Sequence, residues 1–215
     1  MGGGFVLAAA GLLPCLPAQQ KPPSTAALAQ KVDRHYNALR SLKADFVERY
    51  QGLGITRTES GVLYLRKPGR MRWAYSRPAG KVFVLDGKYA WFYTEGDPQV
   101  QRIPARELDD IRSPLRFLLG HTELEKEMTH LTSAAAGGGE FTLSGLPKGQ
   151  ENRMTRVTLT VTLEGVITAI EMQETGGAVT HFVFSHQEPN AAITTSTFRF
   201  TPPKDVPVVD APPPV

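Results

Sequence analysis

The stretch "YLRKPGRMRWAYSRPAGKVFVLDGKYAWFY", Tyr64 to Tyr93, decides how the fold is read. From Tyr64 to Lys81 it carries Arg66, Lys67, Arg70, Arg72, Arg77 and Lys81 and no acid. A phosphate-binding surface could look like that. Yet Met71, Trp73 and Tyr75 alternate with Arg70 and Arg72, and successive side chains of a strand point to opposite faces. Asp86-Gly87, between two alternating β-rich runs, predicts a two-residue hairpin turn. Pairing Leu85 with Lys88 then puts Val82, Val84, Tyr89, Trp91 and Tyr93 on one hairpin face. The opposite face shows Lys81, Phe83, Leu85, Lys88 and Phe92. The first set is wholly apolar or aromatic, so the aromatics read as interior and the basic residues as solvated exterior.

Strand patterns continue on both sides of this stretch. "KADFVERYQG" and "TRTESGVLYLR" precede it; "RMTRVTLTVTLEG", "VITAIEMQET", "AVTHFVFSHQE" and "TTSTFRFTPP" follow. Glu164-Gly165 turns the first of the later strands into the second. Many short strands in close succession predict one curved antiparallel sheet. Only two apolar helical pieces accompany it. Leu28, Val32, Tyr36 and Leu39 recur at helical spacing after a capping Ser24 or Thr25. "SPLRFLLG" starts on Pro114 and stops at Gly120, which suits a very short helix. The residues alone leave open whether these helices fill an ordinary barrel core or cover a cavity.

A chain of 215 residues that is 41% hydrophobic and 21% charged suits one globular domain. Its net charge of +3 is modest and does not call for nucleic acid. The opening "MGGGFVLAAAGLLPCLPAQQ" has no charged side chain, and its apolar run Phe5 to Leu16 has the length of a signal peptide core. Residues 1–18 are therefore expected to be an export signal, residues 19–205 the domain and residues 206–215 a Pro-rich tail excluded from any sheet centre. Cys15, the single cysteine, reads as part of the signal, with lipid attachment the alternative. No other apolar run reaches membrane-spanning length.

Nothing in the sequence forms a convincing catalytic set. His35, His121, His130, His181 and His186 make no metal-binding spacing, and His181 and His186 fall on opposite faces of one strand. Asp109-Asp110 is an adjacent acidic pair beside Arg106 and Arg112, which suits surface ion pairing. No nucleophile elbow or phosphate-cradling loop occurs. The expectation is a binding protein with no metal and no cofactor. A periplasmic sensor or regulator, an anchored receptor and a lipid-acting enzyme are the rival readings.

Four segments carry a resemblance: "GVLYLRKPGRMRWAY", "VFVLDGKYAWFY" with "QV" shortly after, "SPLRFLLG" and "FRFTPPKDV". Together, in order and spacing, they resemble the outer-membrane lipoprotein carrier (LolA) family over nearly the whole mature chain. The resemblance implies a mainly β (α+β) fold, an incomplete antiparallel β-barrel or half-barrel, with a helical lid over an apolar cavity. It implies a monomeric periplasmic shuttle whose cavity shelters the acyl chains of acylated lipoproteins. Cargo would come from an inner-membrane ABC transporter complex and pass to an outer-membrane lipoprotein receptor.

On that resemblance the acyl-binding wall is expected to comprise Phe46, Val62, Tyr64, Met71, Trp73, Tyr75, Val82, Val84, Tyr89, Trp91 and Tyr93. The lid would present Leu28, Val32, Tyr36, Leu115, Leu118 and Leu119. In the family an Arg before a Pro holds the lid; that position here is Lys67, a single-point donor without a guanidinium fork. Lys67 or neighbouring Arg66 is therefore expected to act as lid latch. A two-residue turn at Pro68-Gly69 would put Arg66 on the aromatic face; a bulge would reverse that.

Overall fold

The computed structural model describes residues 23–106 and 121–210. Its first element is the helix α1 (Thr25–Ala38), whose leading amides are capped by Ser24, with the Ala27 N–H donating to Ser24 Oγ. The i, i+4 stripe Leu28, Val32 and Tyr36 is buried together with Ala29. The helix stops at Leu39, whose backbone turns extended.

Six strands follow: β1 (Ser41–Gly52), β2 (Ile55–Arg66), β3 (Arg70–Arg77), β4 (Val82–Leu85), β5 (Tyr89–Tyr93) and β6 (Val100–Pro104). After the short helix α2 (Leu124–Glu127) come β7 (Met128–Gly137), β8 (Glu140–Pro147), β9 (Met154–Val161), β10 (Ile167–Glu174) and β11 (Val179–Pro189). A 3-10 turn, Thr195–Phe198, precedes the last strand, β12 (Val208–Asp210). All twelve join one sheet in the order β12-β6-β5-β4-β3-β2-β1-β11-β10-β9-β8-β7. Pairing is antiparallel throughout, save for β12, which runs parallel to β6. β12 and β7 end the sheet without pairing to each other, so it stays open. β12 comes from the Pro-rich tail. It occupies an edge, where prolines can be accommodated, and the Arg102 guanidinium clasps Asp210 at 2.7 and 3.0 Å.

The register fixes which residues share a face. Leu42, Ala44 and Phe46 of β1 lie opposite Leu65, Leu63 and Gly61 of β2. Leu65, Leu63 and Gly61 in turn oppose Met71, Trp73 and Tyr75 of β3. Met71 and Trp73 oppose Leu85 and Phe83, and these oppose Ala90 and Phe92. In a flat sheet, strands three places apart stand about 14 Å apart. The rings of Trp73 on β3 and Phe182 on β11 are nevertheless 5.3 Å apart. The sheet therefore curls toward this face, which is concave.

Three sequence expectations change here. The β4–β5 hairpin pairs Leu85 with Ala90, two residues away from the expected Lys88. The Asp86 N–H donates to the Tyr89 carbonyl, which leaves Gly87-Lys88 as the turn. Asp86 stays on the strand side because its carboxylate accepts the Lys88 and Tyr89 amides. The positive φ at Gly87 alone of the two fits a type II′ turn.

The second change is one of faces. β3 and β4 pair odd residue with odd, so Val82 and Val84 lie with Ala74 and Arg72, on the face away from Met71, Trp73 and Tyr75. The three-residue loop Lys67-Pro68-Gly69 likewise sets Arg66 opposite Arg70 and Tyr64 opposite Arg72. Third, Ile167 and Ile170 are both buried, although simple alternation separates them; a bulge between Ile167 and Ala169 brings both to one side.

Candidate functional site

The concave face carries the main apolar cluster of the described residues. Phe46, Met71, Trp73, Leu42, Leu63 and Leu65 are buried in one cluster with Phe182 and Phe184 of β11. Phe46 stands edge-on to Trp73 at 4.6 Å and to Tyr75 at 5.1 Å, geometries that aromatic quadrupoles favour. The indole N–H of Trp73 donates to Met71 Sδ at 2.9 Å. Leu28, Ala29, Val32 and Tyr36 of α1 belong to the same cluster, and α1 packs on α2, β7 and β8. The helix thus shares its buried apolar stripe with the cluster on this face.

Polar bonds fix α1 at its margins. Thr25 Oγ1 and Ser133 Oγ of β7 are 2.8 Å apart. Lys31 Nζ donates to the Leu163 carbonyl at 2.8 Å. The Ile167 N–H donates to the Tyr36 hydroxyl, which burial pushes well above the usual phenol range despite that bond. Lys67 Nζ donates to the Tyr36 carbonyl at 2.7 Å, near the negative end of the helix dipole. Gly165 approaches so closely that a Cβ there would sit 2.4 Å from the Lys31 carbonyl carbon. The Leu124 N–H donates to Asp33, whose carboxyl burial raises above the usual range.

An ionic cluster borders the apolar wall beyond Phe46. Glu48 and Glu59 are cross-strand partners on β1 and β2, and both are buried. Lys81 Nζ reaches Glu59 Oε2, and Arg57 Nε lies 3.0 Å from Glu59 Oε1. The Tyr75 hydroxyl donates to Glu48 at 3.2 Å. Burial first, then the Glu59 charge, pushes the Glu48 carboxyl upward, while Lys81, Tyr75 and Arg57 oppose the shift. No buried side-chain nitrogen or oxygen among the described residues lacks a hydrogen-bond partner.

Of the expected wall, Phe46, Met71, Trp73 and Tyr75 are on the concave side. Val62, Tyr64, Val82, Val84, Tyr89, Trp91 and Tyr93 are not; the register places them on the convex face. There Trp91 and Tyr93 meet Phe200 at 5.7 and 6.1 Å, and Val84, Val100 and Phe198 are buried. The C-terminal segment thus covers a second, smaller apolar patch. Leu63, Leu65, Phe83, Phe92, Phe182 and Phe184 take the missing wall positions. Strict alternation in "FVF" was the available signal for Phe182 and Phe184. Leu28, Val32 and Tyr36 lie on α1; Leu115, Leu118 and Leu119 fall outside the described residues. Arg66 faces the convex side, donates to the Ile193 carbonyl and Thr195 Oγ1, and lies 5.6 Å over Phe198. Among the described residues, no group of three or more His, Cys, Asp or Glu could hold a metal. No helix among them is long and apolar enough to cross a membrane.

A single open, mainly antiparallel sheet curled around an apolar face, with one amphipathic helix packed into the same apolar cluster, defines the class. The family model for the outer membrane lipoprotein carrier protein LolA matches residues 37–201, and the chain belongs to that family. A protein of Nitrosospira multiformis called outer-membrane lipoprotein carrier protein is 33% identical over 174 residues, covering 79% of this chain and 82% of its own. One of the same description from Chromobacterium violaceum is 31% identical over 187 residues, covering 87% and 89%. Among solved structures, an uncharacterised conserved protein of Thermus thermophilus superposes with a TM-score of 0.53 at 14% identity, over 86% of this chain and 97% of the other. Mycobacterium tuberculosis lipoprotein LppX does so at 0.50 and 15% identity, over 80% and 97%. These two likenesses concern the fold.

Proposed function

We propose that this protein is a periplasmic chaperone that carries lipid-anchored proteins from the inner to the outer membrane. Their acyl chains lie against the concave face during transit. One observation supports the reading: Leu28, Ala29, Val32 and Tyr36 of α1 share one apolar cluster with that face, while polar bonds fasten the helix at its margins. A surface held in this way can be uncovered as a unit. Hydrocarbon chains can then replace Leu28, Ala29, Val32 and Tyr36 against the same wall. The cavity of the carrier is the space the helix vacates.

The energetics require such a shelter. Each buried methylene is worth about 0.8 kcal/mol, so an anchor of two or three long chains resists entering water by tens of kcal/mol. The carrier must supply comparable burial. It must also release, so cargo binding competes with the return of α1, and a receptor with a slightly better surface takes the chains. An inner-membrane ABC transporter complex loads the carrier and an outer-membrane lipoprotein receptor unloads it, one cargo per monomer. The function is binding and transfer, without catalysis.

The test is incubation of the purified protein with membranes that contain an acylated lipoprotein. A soluble one-to-one complex is expected in the supernatant. A lipoprotein that stays with the membrane in the presence of transporter and ATP would refute the reading.

A further inference from the structure

The convex face uses its basic residues in two ways. Arg66 and Arg72 are structural: Arg66 donates to Ile193 O and Thr195 Oγ1, and Arg72 donates to the carbonyls of Thr197 and Arg199 at 3.3 and 3.5 Å. They hold the segment around the 3-10 turn against β2 and β3. Arg70, Lys88 and Arg199 are different. All three line one cavity of about 330 Å³, together with Asp86, Thr195 and Phe198. Lys88 lies 5.1 Å over the Tyr89 ring. Among the described residues, no ion pair and no side-chain hydrogen bond is made by Arg70, Lys88 or Arg199.

Asp86 offsets one of the three positive charges, since it interacts electrostatically with Arg70, and leaves a net positive excess in the lining. Its carboxylate accepts three N–H groups, from Lys88, Tyr89 and the Trp91 indole, at 2.7 to 2.8 Å. Thr195 Oγ1 accepts from Arg66, which leaves its own proton to donate. The cavity is therefore lined by two arginines, one lysine and one threonine against a single carboxylate, and its volume suits a small anion. We propose that this cavity binds a phosphate group, either free or carried on a lipid headgroup. A phosphate presents peripheral oxygens that match several convergent donors at once, and Arg pairs with it bidentately. Trp91 and Tyr89, half-buried beside the cavity, are side chains suited to the headgroup region of a membrane. The site lies on the opposite side of the sheet from α1 and does not depend on the acyl-binding reading.

Two measurements on the full chain test this at physiological ionic strength. Calorimetric titration uses inorganic phosphate as probe. Co-sedimentation uses vesicles of phosphatidylcholine with and without phosphatidylglycerol. Saturable binding to phosphate or to the anionic vesicles is expected, with a loss of about tenfold or more in the Arg70→Gln/Arg199→Gln variant. Exposed arginines elsewhere supply the control: Arg49→Gln/Arg77→Gln removes the same charge and should leave binding within about twofold, because screened charges beyond a Debye length contribute little. Phosphate binding without vesicle binding identifies the free ion; pocket-dependent binding to anionic vesicles identifies the headgroup. Binding to neither probe overturns the proposal. So does an equal loss in the control variant, which would make the effect one of net charge.

Discussion

Replacing Lys67 with Met tests how α1 is held. Met keeps most of the side chain's length and its apolar stem but removes the ammonium that donates to the Tyr36 carbonyl at 2.7 Å. Burial already holds the Lys67 ammonium below the usual lysine range, and the side chain keeps part of its exposure. A charged hydrogen bond is worth about 1.5–3 kcal/mol when buried, and exposure discounts it to about 1–2 kcal/mol here. That corresponds to a roughly five- to thirtyfold change in an opening equilibrium. Leu28, Val32 and Tyr36 stay buried and Lys31 still bonds Leu163, so the helix should remain docked most of the time. Amide hydrogen exchange reads the opening directly. If α1 lifts as a unit, its amides from Leu28 to Tyr36 should all speed up by the same factor. The edge amides of β12, whose fraying does not involve α1, should not change. Acceleration limited to the last turn near Tyr36 would show that Lys67 merely pins a helix end, and the lid account would lose its latch.

Further outcomes follow from other contacts. Gly165→Ala places a Cβ 2.4 Å from the Lys31 backbone at a φ of +88°. The left-handed conformation alone costs about 1–2 kcal/mol, so the thermal midpoint should fall by several degrees, with α1 exchange accelerated; an unchanged midpoint would mean the helix is not seated on this turn. Glu48→Gln keeps an acceptor for the Tyr75 hydroxyl and removes one of two adjacent carboxylates. Because the folded-state value of Glu48 is raised above its ordinary 4.5, the folded protein binds that proton more tightly than the unfolded chain does. Wild-type stability relative to the variant should therefore rise as pH falls through the raised value toward 4.5. Denaturant melts across that window check the sign; a relative loss on acidification would mean Arg57 and Lys81 hold Glu48 ionised.

The strands were legible in the sequence because half-buried strands alternate, and the runs named there are strands or parts of strands except "TTSTFRFTPP", which the structure makes a 3-10 turn, Thr195–Phe198, followed by irregular chain that lies on the convex face. The helix was legible from Leu28, Val32 and Tyr36 at four-residue spacing. The faces were not. Side-chain direction has a period of two, so the length of one turn flips everything beyond it. The loop Lys67-Pro68-Gly69 reversed Val62 and Tyr64, and the β3–β4 turn reversed Val82, Val84, Tyr89, Trp91 and Tyr93 against Trp73. Grouping within the β4–β5 hairpin survived because its register moved by two residues, which conserves parity. Long-range covering was illegible as well. Nothing local marks Phe198 and Phe200 as the cover of Val84, Trp91 and Tyr93, since that contact joins an irregular C-terminal segment to strands about a hundred residues earlier in the chain. Two apolar faces exist, and composition alone does not say which is wrapped by the chain's own tail and which by a helix.

On the proposed function, α1 must leave the concave face for cargo to enter. Its C-terminal end continues straight into β1, so its N-terminal end is the one free to swing. Thr25 and Ser133 hold that end with hydroxyl oxygens 2.8 Å apart, which makes this contact the place to introduce a cross-link. Uptake of acylated lipoprotein by the Thr25→Cys/Ser133→Cys variant, oxidised and then reduced, is the most direct measurement. The oxidised form should take up none, and reduction should restore the soluble complex. Equal uptake in both forms would show that acyl chains enter without the helix moving.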